Sequence, residues 1–133
     1  MIQFYFLSIV LNLLAGYTII QERIESTETD PWYSFNSDTF RLILGVGSLV
    51  IGLLKLFFSY STNPPIFGDL IPALAGLLCG FMLIFEFYLS RTSIASEQSE
   101  KIALLLLGKQ KWIGGLAIVS GVLHFLFPQA LFL

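Results

Sequence analysis

Four long apolar runs make up most of the chain. They are Phe4–Ile20, Leu42–Tyr60, Leu70–Leu89 and Trp112–Leu133. Each run is close in length to the roughly 20 helical residues needed to cross the hydrocarbon core of a bilayer. The only Asp, Glu, Lys, Arg or His side chains inside the runs are Lys55, Glu86 and His124. This pattern predicts an all-α membrane protein with four transmembrane helices in an antiparallel bundle.

The polar and proline-containing segments set the predicted helix boundaries. The four spans are predicted at about 3–20, 39–60, 67–90 and 111–131. Asp38 is a suitable N-cap for the second helix, and Pro128 should bend or end the fourth. The short segment Ser61–Pro65 should join the second and third helices as a tight antiparallel pair. The apolar stretch Lys101–Gly108 is too short to span, so a brief interfacial helix is predicted at about 96–107.

The composition favours a single domain that lies wholly in the membrane. Of the 133 residues, 56% are hydrophobic and 12% are charged, whereas a soluble domain carries about 25% charged residues. The segments outside the spans are too short to fold alone, so residues 1–133 are predicted to form one integral membrane domain. No basic run indicates nucleic-acid binding, and the lipid bilayer is the expected partner.

Patterns for catalysis, metals or cofactors are absent from the sequence. The single cysteine, Cys79, cannot form an internal disulfide and is expected to pack as a small hydrophobic residue. No His or Cys set has metal-ligand spacing, and no nucleophile–base pair or glycine-rich phosphate loop is visible. We therefore expect neither an enzyme nor a bound cofactor or metal.

The distribution of Lys and Arg predicts the orientation. With four spans, both termini lie on one side of the membrane and the loops 21–40 and 90–111 lie on the other. That second side carries Arg23, Arg41, Arg91, Lys101, Lys109 and Lys111. Because Lys and Arg are enriched on the cytoplasmic side, the loops should be cytoplasmic and the termini outside, in a plasma (inner) membrane. The N-terminal run lacks signal-peptide features and should be retained.

An internal repeat relates the two halves of the chain. A shift of 64 residues aligns helix one with helix three, and a shift of 69 aligns helix two with helix four. The matched positions include Gly16 with Gly80, Glu22 with Glu86, Gly45 with Gly114, Gly52 with Gly121, and Lys55 with His124. The matches predict two tandem helical hairpins. Since each hairpin has two helices, both insert the same way, and their pseudo-twofold axis should run along the membrane normal.

Small residues recur on one face of each predicted helix. The glycines predicted to pack against other helices are Gly16, Gly45, Gly52, Gly76, Gly80, Gly114 and Gly121. Such faces let helix backbones approach closely in lipid, where the hydrophobic effect does not drive helices together. They should pack within the bundle, although one face could instead contact a second subunit.

Polar residues inside the spans are the candidate functional positions, because ionisable groups in a bilayer are costly. Lys55 and Asp69 should lie at similar depth and form a buried pair. The lysine could instead reach toward the interface, or bind an anion, a lipid headgroup or a proton. Glu86 should pair with Arg41 or Lys111 at the interface, or else carry a proton.

His124 has no carboxylate partner at its predicted depth. A neutral ring that is hydrogen-bonded to a neighbouring helix is expected. Asn12, at mid-span in helix one, could be its partner or could link two helices. If the pseudo-twofold holds, His124 faces the same seam as Lys55, and two cations there would disfavour each other. A pH-sensitive pocket is the alternative.

Two classes of function fit this pattern. The first is a structural or accessory subunit of a membrane assembly, as a homo-oligomer or in a larger complex. The second is a small transporter or channel for an ion, proton or small solute, working as an oligomer. Residues Arg41–Gly45 and Gly52–Phe57 resemble the first helix of DoxX-like four-helix membrane proteins over 17 residues. The order of helices along the chain differs, so no function or site residue is taken from this resemblance.

Overall fold

The computed structural model describes residues 2–21, 37–58, 69–92 and 96–128. They form helices α1 (Ile2–Ile20), α2 (Asp38–Phe57), α3 (Leu70–Arg91), α4 (Glu97–Gly108) and α5 (Gln110–Leu126), with no strand in those ranges. α1, α2 and α3 have 19, 20 and 22 residues and are long and apolar enough to cross a membrane. At 1.5 Å per residue, such lengths match a hydrocarbon core of about 30 Å. The all-helical prediction is confirmed.

The fourth span, predicted over about 111–131 with Pro128 bending or ending it, ends earlier in the structure. α5 has 17 residues and ends at Leu126, because Phe127 leaves the helical conformation just before Pro128. α4 occupies nearly the predicted range, but it meets α5 at a bend of 56°. Only when α4 and α5 are taken together do they reach the length and hydropathy of a span.

The N-termini of α2 and α3 also differ from the predictions. Ser37 occupies the N-cap position of α2, so the prediction for Asp38 was wrong. Asp38 lies instead in the first turn, where the helix dipole favours a negative charge. α3 begins at Leu70, which puts Asp69 at its N-cap position rather than inside the helix. The predicted turn Ser61–Pro65 lies outside the described residues.

The packed helices turn apolar side chains outward and many polar side chains inward. α1 packs against α2, α3 and α5, and α3 also packs against α2 and α5. Large apolar residues such as Phe6, Leu53 and Val119 lie exposed on their outer faces. The buried polar residues of these helices and their ends include Ser8, Asn12, Thr18, Arg41, Ser48, Lys55, Asp69, Glu86, Ser120 and His124. A soluble protein shows the opposite tendency, so this distribution is compatible with a location in a membrane.

Close helix contacts occur at the glycines that the sequence marked for packing. A Cβ atom added to any of Gly16, Gly45, Gly52, Gly76, Gly80, Gly114 or Gly121 would lie within 3.2 Å of another helix. The tightest contacts join α1 to α5 and α2 to α3. A Cβ on Gly16 would lie 2.6 Å from the carbonyl oxygen of Gly114, and one on Gly80 would lie 2.7 Å from that of Gly45. These backbones can therefore pack closely only because side chains are missing there.

Candidate functional site

Buried polar side chains form two clusters at opposite ends of the packed helices. The Lys55 cluster contains Tyr5, Lys55, Asp69 and His124. The Arg41 cluster contains the side chains of Arg41 and Glu86 together with the backbone oxygens of Thr18 and Gln21. Along α2, α3 and α5, the buried core residues Leu44, Cys79 and Ala117 lie between the clusters. The two sets of charges are therefore separated by an apolar layer.

Lys55 lies at the centre of its cluster. Its Nζ atom donates a hydrogen bond to Asp69 Oδ2 at 2.8 Å and lies 2.7 Å from His124 Nε2. The ammonium also lies 5.5 Å from the centre of the Tyr5 ring, within the range of a cation–π contact. The side chains of Lys55 and Asp69 are each 1% exposed. A buried charge needs such compensation, and the predicted contact between Lys55 and Asp69 is present.

The contact with Lys55 determines how His124 can be protonated. An ammonium group has hydrogen-bond donors only. With Lys55 charged, Nε2 of His124 must therefore accept, and a neutral imidazole then carries its proton on Nδ1. Tyr5, in α1, also contacts His124. Its hydroxyl donates to the backbone oxygen of His124 at 2.8 Å, and the two rings lie 4.7 Å apart. With Lys55 and Asp69 both charged, the cluster combines one cation, one anion and a neutral base.

Helical spacing brings Lys55 and His124 together. Residues three and four apart return to the same face of a helix. The buried face of α2 includes Gly45, Ser48, Gly52 and Lys55, and that of α5 includes Gly114, Ala117, Gly121 and His124. In both helices small side chains precede the polar one, so the polar side chain reaches into the interior at the end of a closely packed face.

Arg41 joins three elements at the other end. Its Nη1 donates to Glu86 Oε2 at 2.6 Å, and its Nη2 donates to the backbone oxygens of Thr18 at 2.9 Å and Gln21 at 3.3 Å. The last carbonyls of a helix lack partners within that helix, so the guanidinium caps the C-terminal end of α1. A planar group with five donors suits this role. Of the two partners predicted for Glu86, Arg41 is the one found in this ion pair.

Asn12, Ser48 and Ser120 are buried polar residues of the interior. Nδ2 of Asn12 donates to the backbone oxygen of Pro72 at 3.1 Å. Asn12 therefore links α1 to α3, which was one of its two predicted roles. The hydroxyl oxygens of Ser48 and Ser120 have no hydrogen-bond partner among the described residues. Their burial carries an energetic cost that no visible bond offsets.

Tyr5 and the carbonyl oxygens at the end of α1 are site members that the sequence reasoning missed. Tyr5 lies among apolar residues and belongs to no recognised motif. The 64-residue shift that aligns helix one with helix three places Tyr5 at the position of Asp69. That correspondence was a signal that could have identified it. No comparable signal identifies the backbone carbonyls, because every residue has one whatever its side chain.

The described residues offer no group of three or more His, Cys, Asp or Glu side chains arranged to hold a metal ion. A protein-family model without an assigned function matches residues 1–124 of the chain. The chain is also similar to an uncharacterized protein of Treponema pallidum (strain Nichols), with 32% identity over 135 residues that cover 100% of both proteins. No solved structure matches the chain.

Proposed function

The chain belongs to this uncharacterized family, and we propose that it is a multi-pass membrane protein whose four spans form one antiparallel bundle. α1, α2 and α3 are each long and apolar enough to supply a span. α5, which has 17 residues and meets the same criteria only together with α4, would supply the fourth. α4 would lie along the interface, because it has no buried residue and exposes Leu104 and Leu105. The outward apolar and inward polar side chains of the other helices support this arrangement.

The bundle consists of two tandem hairpins, α1–α2 and α3–α5, related by a pseudo-twofold axis along the membrane normal. Glycines that the internal repeat aligns make equivalent contacts in the two halves, and this supports the relation. A Cβ on Gly52 would lie 2.9 Å from the carbonyl oxygen of Ala73, and one on Gly121 would lie 3.5 Å from that of Ile9. The 64-residue shift carries Ile9 to Ala73, and the 69-residue shift carries Gly52 to Gly121.

The Lys55 cluster supports the same axis. The shifts carry Tyr5 to Asp69 and Lys55 to His124. The Lys55–Asp69 and His124–Tyr5 contacts therefore correspond, and each joins one hairpin to the other. The 2.7 Å contact between Lys55 and His124 then crosses the axis. An experimental structure in which the hairpins superpose best in another register would contradict the duplication.

Both termini lie outside, and the loops 21–40 and 90–111 are cytoplasmic. The Lys and Arg bias supports this orientation. It is tested with single-cysteine tags at either terminus in a Cys79→Ala background, labelled in intact cells with a membrane-impermeant maleimide. Labelling without permeabilisation is expected at both tags. Labelling that requires permeabilisation would reverse the orientation.

The function that fits this geometry best is that of a structural or accessory subunit of a membrane assembly. The observation that carries the proposal is that each buried cation in the described part of the chain pairs with a carboxylate of the same chain. Lys55 pairs with Asp69 at 2.8 Å, and Arg41 pairs with Glu86 at 2.6 Å. Charges used in this way stabilise a packed bundle, and the exposed apolar faces remain for lipid or protein neighbours.

The test removes the Lys55–Asp69 charges while keeping the fold. The double variant Lys55→Met with Asp69→Asn should fold, because losing both members of a buried ion pair often costs little. In a strain that lacks the gene, a folded double variant should restore the wild-type phenotype and the wild-type size of the detergent-solubilised assembly. A variant that folds, as judged by its melting curve, but fails to restore the phenotype would contradict a purely structural role.

The second candidate function is proton transport, and the Lys55–His124 contact favours it. A proton donor and a neutral base 2.7 Å apart can exchange a proton. Lys55 and His124 are at most 2% exposed, so access to water would require the end of the bundle to open. An apolar layer also separates this cluster from Glu86. Transport would thus need a conformational change that an accessory subunit does not.

Proteoliposomes distinguish these two functions. Purified protein is reconstituted around a pH-sensitive dye, and a proton gradient is imposed with valinomycin and potassium to cancel charge build-up. An accessory subunit should give dye responses equal to those of empty liposomes. Faster proton flux that disappears in the folded double variant Lys55→Met with Asp69→Asn would instead establish transport, with His124→Gln expected to slow it as well.

A further inference from the structure

The Lys55–His124 contact joins two helices that are not packing neighbours. In the described part of the chain, α1 packs against α2, α3 and α5, and α3 packs against α2 and α5, so α2 and α5 lie diagonally opposite each other. Lys55 of α2 and His124 of α5 bridge that diagonal, with 2.7 Å between Nζ and Nε2. Both residues are at most 2% exposed. The contact therefore holds the Lys55 end of the packed helices together.

This contact can hold one proton but not two. A lysine ammonium has donors and no acceptor, and both ring nitrogens of a protonated histidine are donors. The hydrogen bond between Lys55 and His124 therefore needs a lone pair on one of the two nitrogens, whichever of them carries the proton. When both residues are protonated, two donors of like charge face each other, and like charges in one site disfavour each other. This requirement holds whatever else either side chain contacts.

Three helices bring charged or titratable groups to His124. Tyr5 faces the ring from α1, and Lys55 contacts it from α2. Asp69, at the start of α3, contacts the same lysine nitrogen as His124 does. α4 joins α5 at the opposite end of α5 from His124. Protonation of His124 would thus add a second cation to a cluster in which Lys55 already pairs with Asp69.

The sequence supplies little compensation for that second cation. Every Asp and Glu other than Asp69 falls within 22–38 or 86–100. Those segments adjoin the helix ends that form the Arg41 cluster, at the other end of the packed helices. A doubly protonated Lys55 cluster therefore has two cations for one carboxylate side chain.

α5 packs tightly against α1 at one end and more loosely near His124. A Cβ on Gly114 would lie 2.6 Å from the carbonyl oxygen of Gly16, whereas one on Gly121 would lie 3.5 Å from that of Ile9. An apolar groove of about 300 Å³ between the two helices is lined by Phe6, Ile9, Val10, Leu13, Val122 and Phe125. The end of α5 that carries His124 can therefore move while the contact at Gly114 stays in place.

We propose that the Lys55 cluster is a pH-sensitive switch that opens this end of the packed helices when it binds a second proton. Histidine ordinarily changes its charge between about pH 5 and pH 8. At the acidic end of that range, Lys55 and His124 would separate, and the last turns of α5 would move away from α2. In the orientation proposed above, this end faces outside, so the switch would respond to external pH. It goes beyond either proposed function, because opening requires proton binding but no proton flux.

The test measures the distance between α2 and α5 at this end by double electron–electron resonance on the full chain in detergent. Spin labels at Phe57→Cys and Leu126→Cys, positions that are 66% and 58% exposed, are introduced in a Cys79→Ala background. Between about pH 8 and about pH 5, the distance should shift to longer values. With His124→Gln the distance should be the same at both pH values, since His124 is the chain's one histidine.

A second label pair reports on the opposite end. Ile43→Cys and Trp112→Cys, which replace side chains that are 56% and 76% exposed, lie on α2 and α5 near the Arg41 cluster. Their distance should not change with pH, because the Arg41 cluster contains no histidine. An equal shift at both ends would show a general loosening of the helices and would contradict a local switch.

The pH dependence of stability tests the same mechanism without labels. The unfolded state binds one more proton than the closed cluster, so the free energy of unfolding should fall as pH falls. For one proton, the equilibrium constant for unfolding rises by up to about 10-fold per pH unit. That rise should be present in the wild type below about pH 6 and smaller in His124→Gln, as measured by SDS titration in mixed micelles.

Lys55→Met should reverse the contribution of His124. Asp69 then lacks its cation, and a protonated His124 would supply one, since both contact the position of the lysine nitrogen. Acid should therefore stabilise Lys55→Met relative to the matched double variant Lys55→Met with His124→Gln. If acid instead destabilises Lys55→Met relative to that double variant, repulsion between the two cations is not the cause.

A wild-type distance at the Lys55 end that does not change with pH would overturn the proposal. A shift of the same size in His124→Gln would overturn it as well, because another group would then be titrating. Proton flux in proteoliposomes is a separate readout, so either proposed function can fail while the switch stands, and the switch can fail while either function stands.

Discussion

The Arg41 cluster and the Lys55 cluster each hold one buried cation against one carboxylate, at opposite ends of the packed helices. Arg41 has no alternative protonation state in a protein, and two of its bonds go to backbone oxygens of α1. Among the described residues, the Lys55 ammonium interacts with side chains: Asp69, His124 and the Tyr5 ring. Every member of its cluster is of a type that can gain or lose a proton.

The comparison shows that a buried charge can serve a structural role or take part in proton exchange. The Arg41 cluster closes a helix end and fixes α1, α2 and α3 relative to one another, which is a structural task. The Lys55 cluster could serve the same task, but its chemistry would also permit proton exchange. Burial alone therefore does not distinguish a structural charge from one that exchanges protons, whereas the protonation chemistry of its partners shows where exchange would be possible.

The largest expected effect comes from breaking the Arg41 cluster. Arg41→Gln leaves the Glu86 carboxylate buried without its cation and should lower the free energy of unfolding by about 3–5 kcal/mol. Arg41→Lys should recover little, because one ammonium cannot reach Glu86 and the α1 carbonyls together. Urea or SDS titration in mixed micelles measures the free energy of unfolding of both variants. Full recovery by lysine would show that the carbonyl contacts contribute nothing.

A smaller effect is expected where α1 packs against α5 between the clusters. Gly114→Ala puts a methyl group 2.6 Å from the carbonyl oxygen of Gly16 and should destabilise the protein by about 1–3 kcal/mol. Gly115 is the matched control, since a Cβ there meets nothing within 4 Å. Gly115→Ala should be neutral or slightly stabilising. Equal melting temperatures for the two variants would rule out close packing at Gly114.

The smallest effect is expected from His124→Gln, which affects only the Lys55 cluster. A glutamine oxygen can still accept from Lys55, so the loss should be about 1–2 kcal/mol, the scale of one hydrogen bond to a charged group. Thermal unfolding in detergent measures it. A loss as large as that of Arg41→Gln would make the two clusters equally structural and remove the distinction between them.

The sequence predicted the helical class and the packing glycines from spacing along a helix, and the Lys55–Asp69 pair from the similar depth of the two residues. For Glu86 it left Arg41 and Lys111 as alternative partners. The 3-4-3 spacing from Gly45 to Lys55 places a cation at the end of a small-residue face whatever the neighbours are. The break between α4 and α5 was also predicted, since the short helix was expected over about 96–107 and the fourth span from about 111. The 56° angle at that break and the role of Asp69 at a helix start were not predictable, because both depend on how neighbouring helices pack.

The bonds of Arg41 to the α1 carbonyls could not be predicted from the sequence either. A guanidinium with several donors predicts partners but does not say which backbone atoms they are. Tyr5 was hidden among apolar residues, and only its correspondence with Asp69 pointed to it. Side chains whose partners are distant in the sequence can be recognised as site members only from the tertiary structure.

The most direct test of internal charge pairing is a double-mutant cycle on Lys55 and Asp69, with the free energy of unfolding measured in detergent. Asp69→Asn and Lys55→Met should each destabilise the protein, because each leaves the other charge buried without its partner. The double variant should recover part of the combined loss, which gives a coupling energy above about 1 kcal/mol. Additive effects of the two substitutions would contradict the direct pair, and with it the conclusion that this buried cation stabilises the bundle.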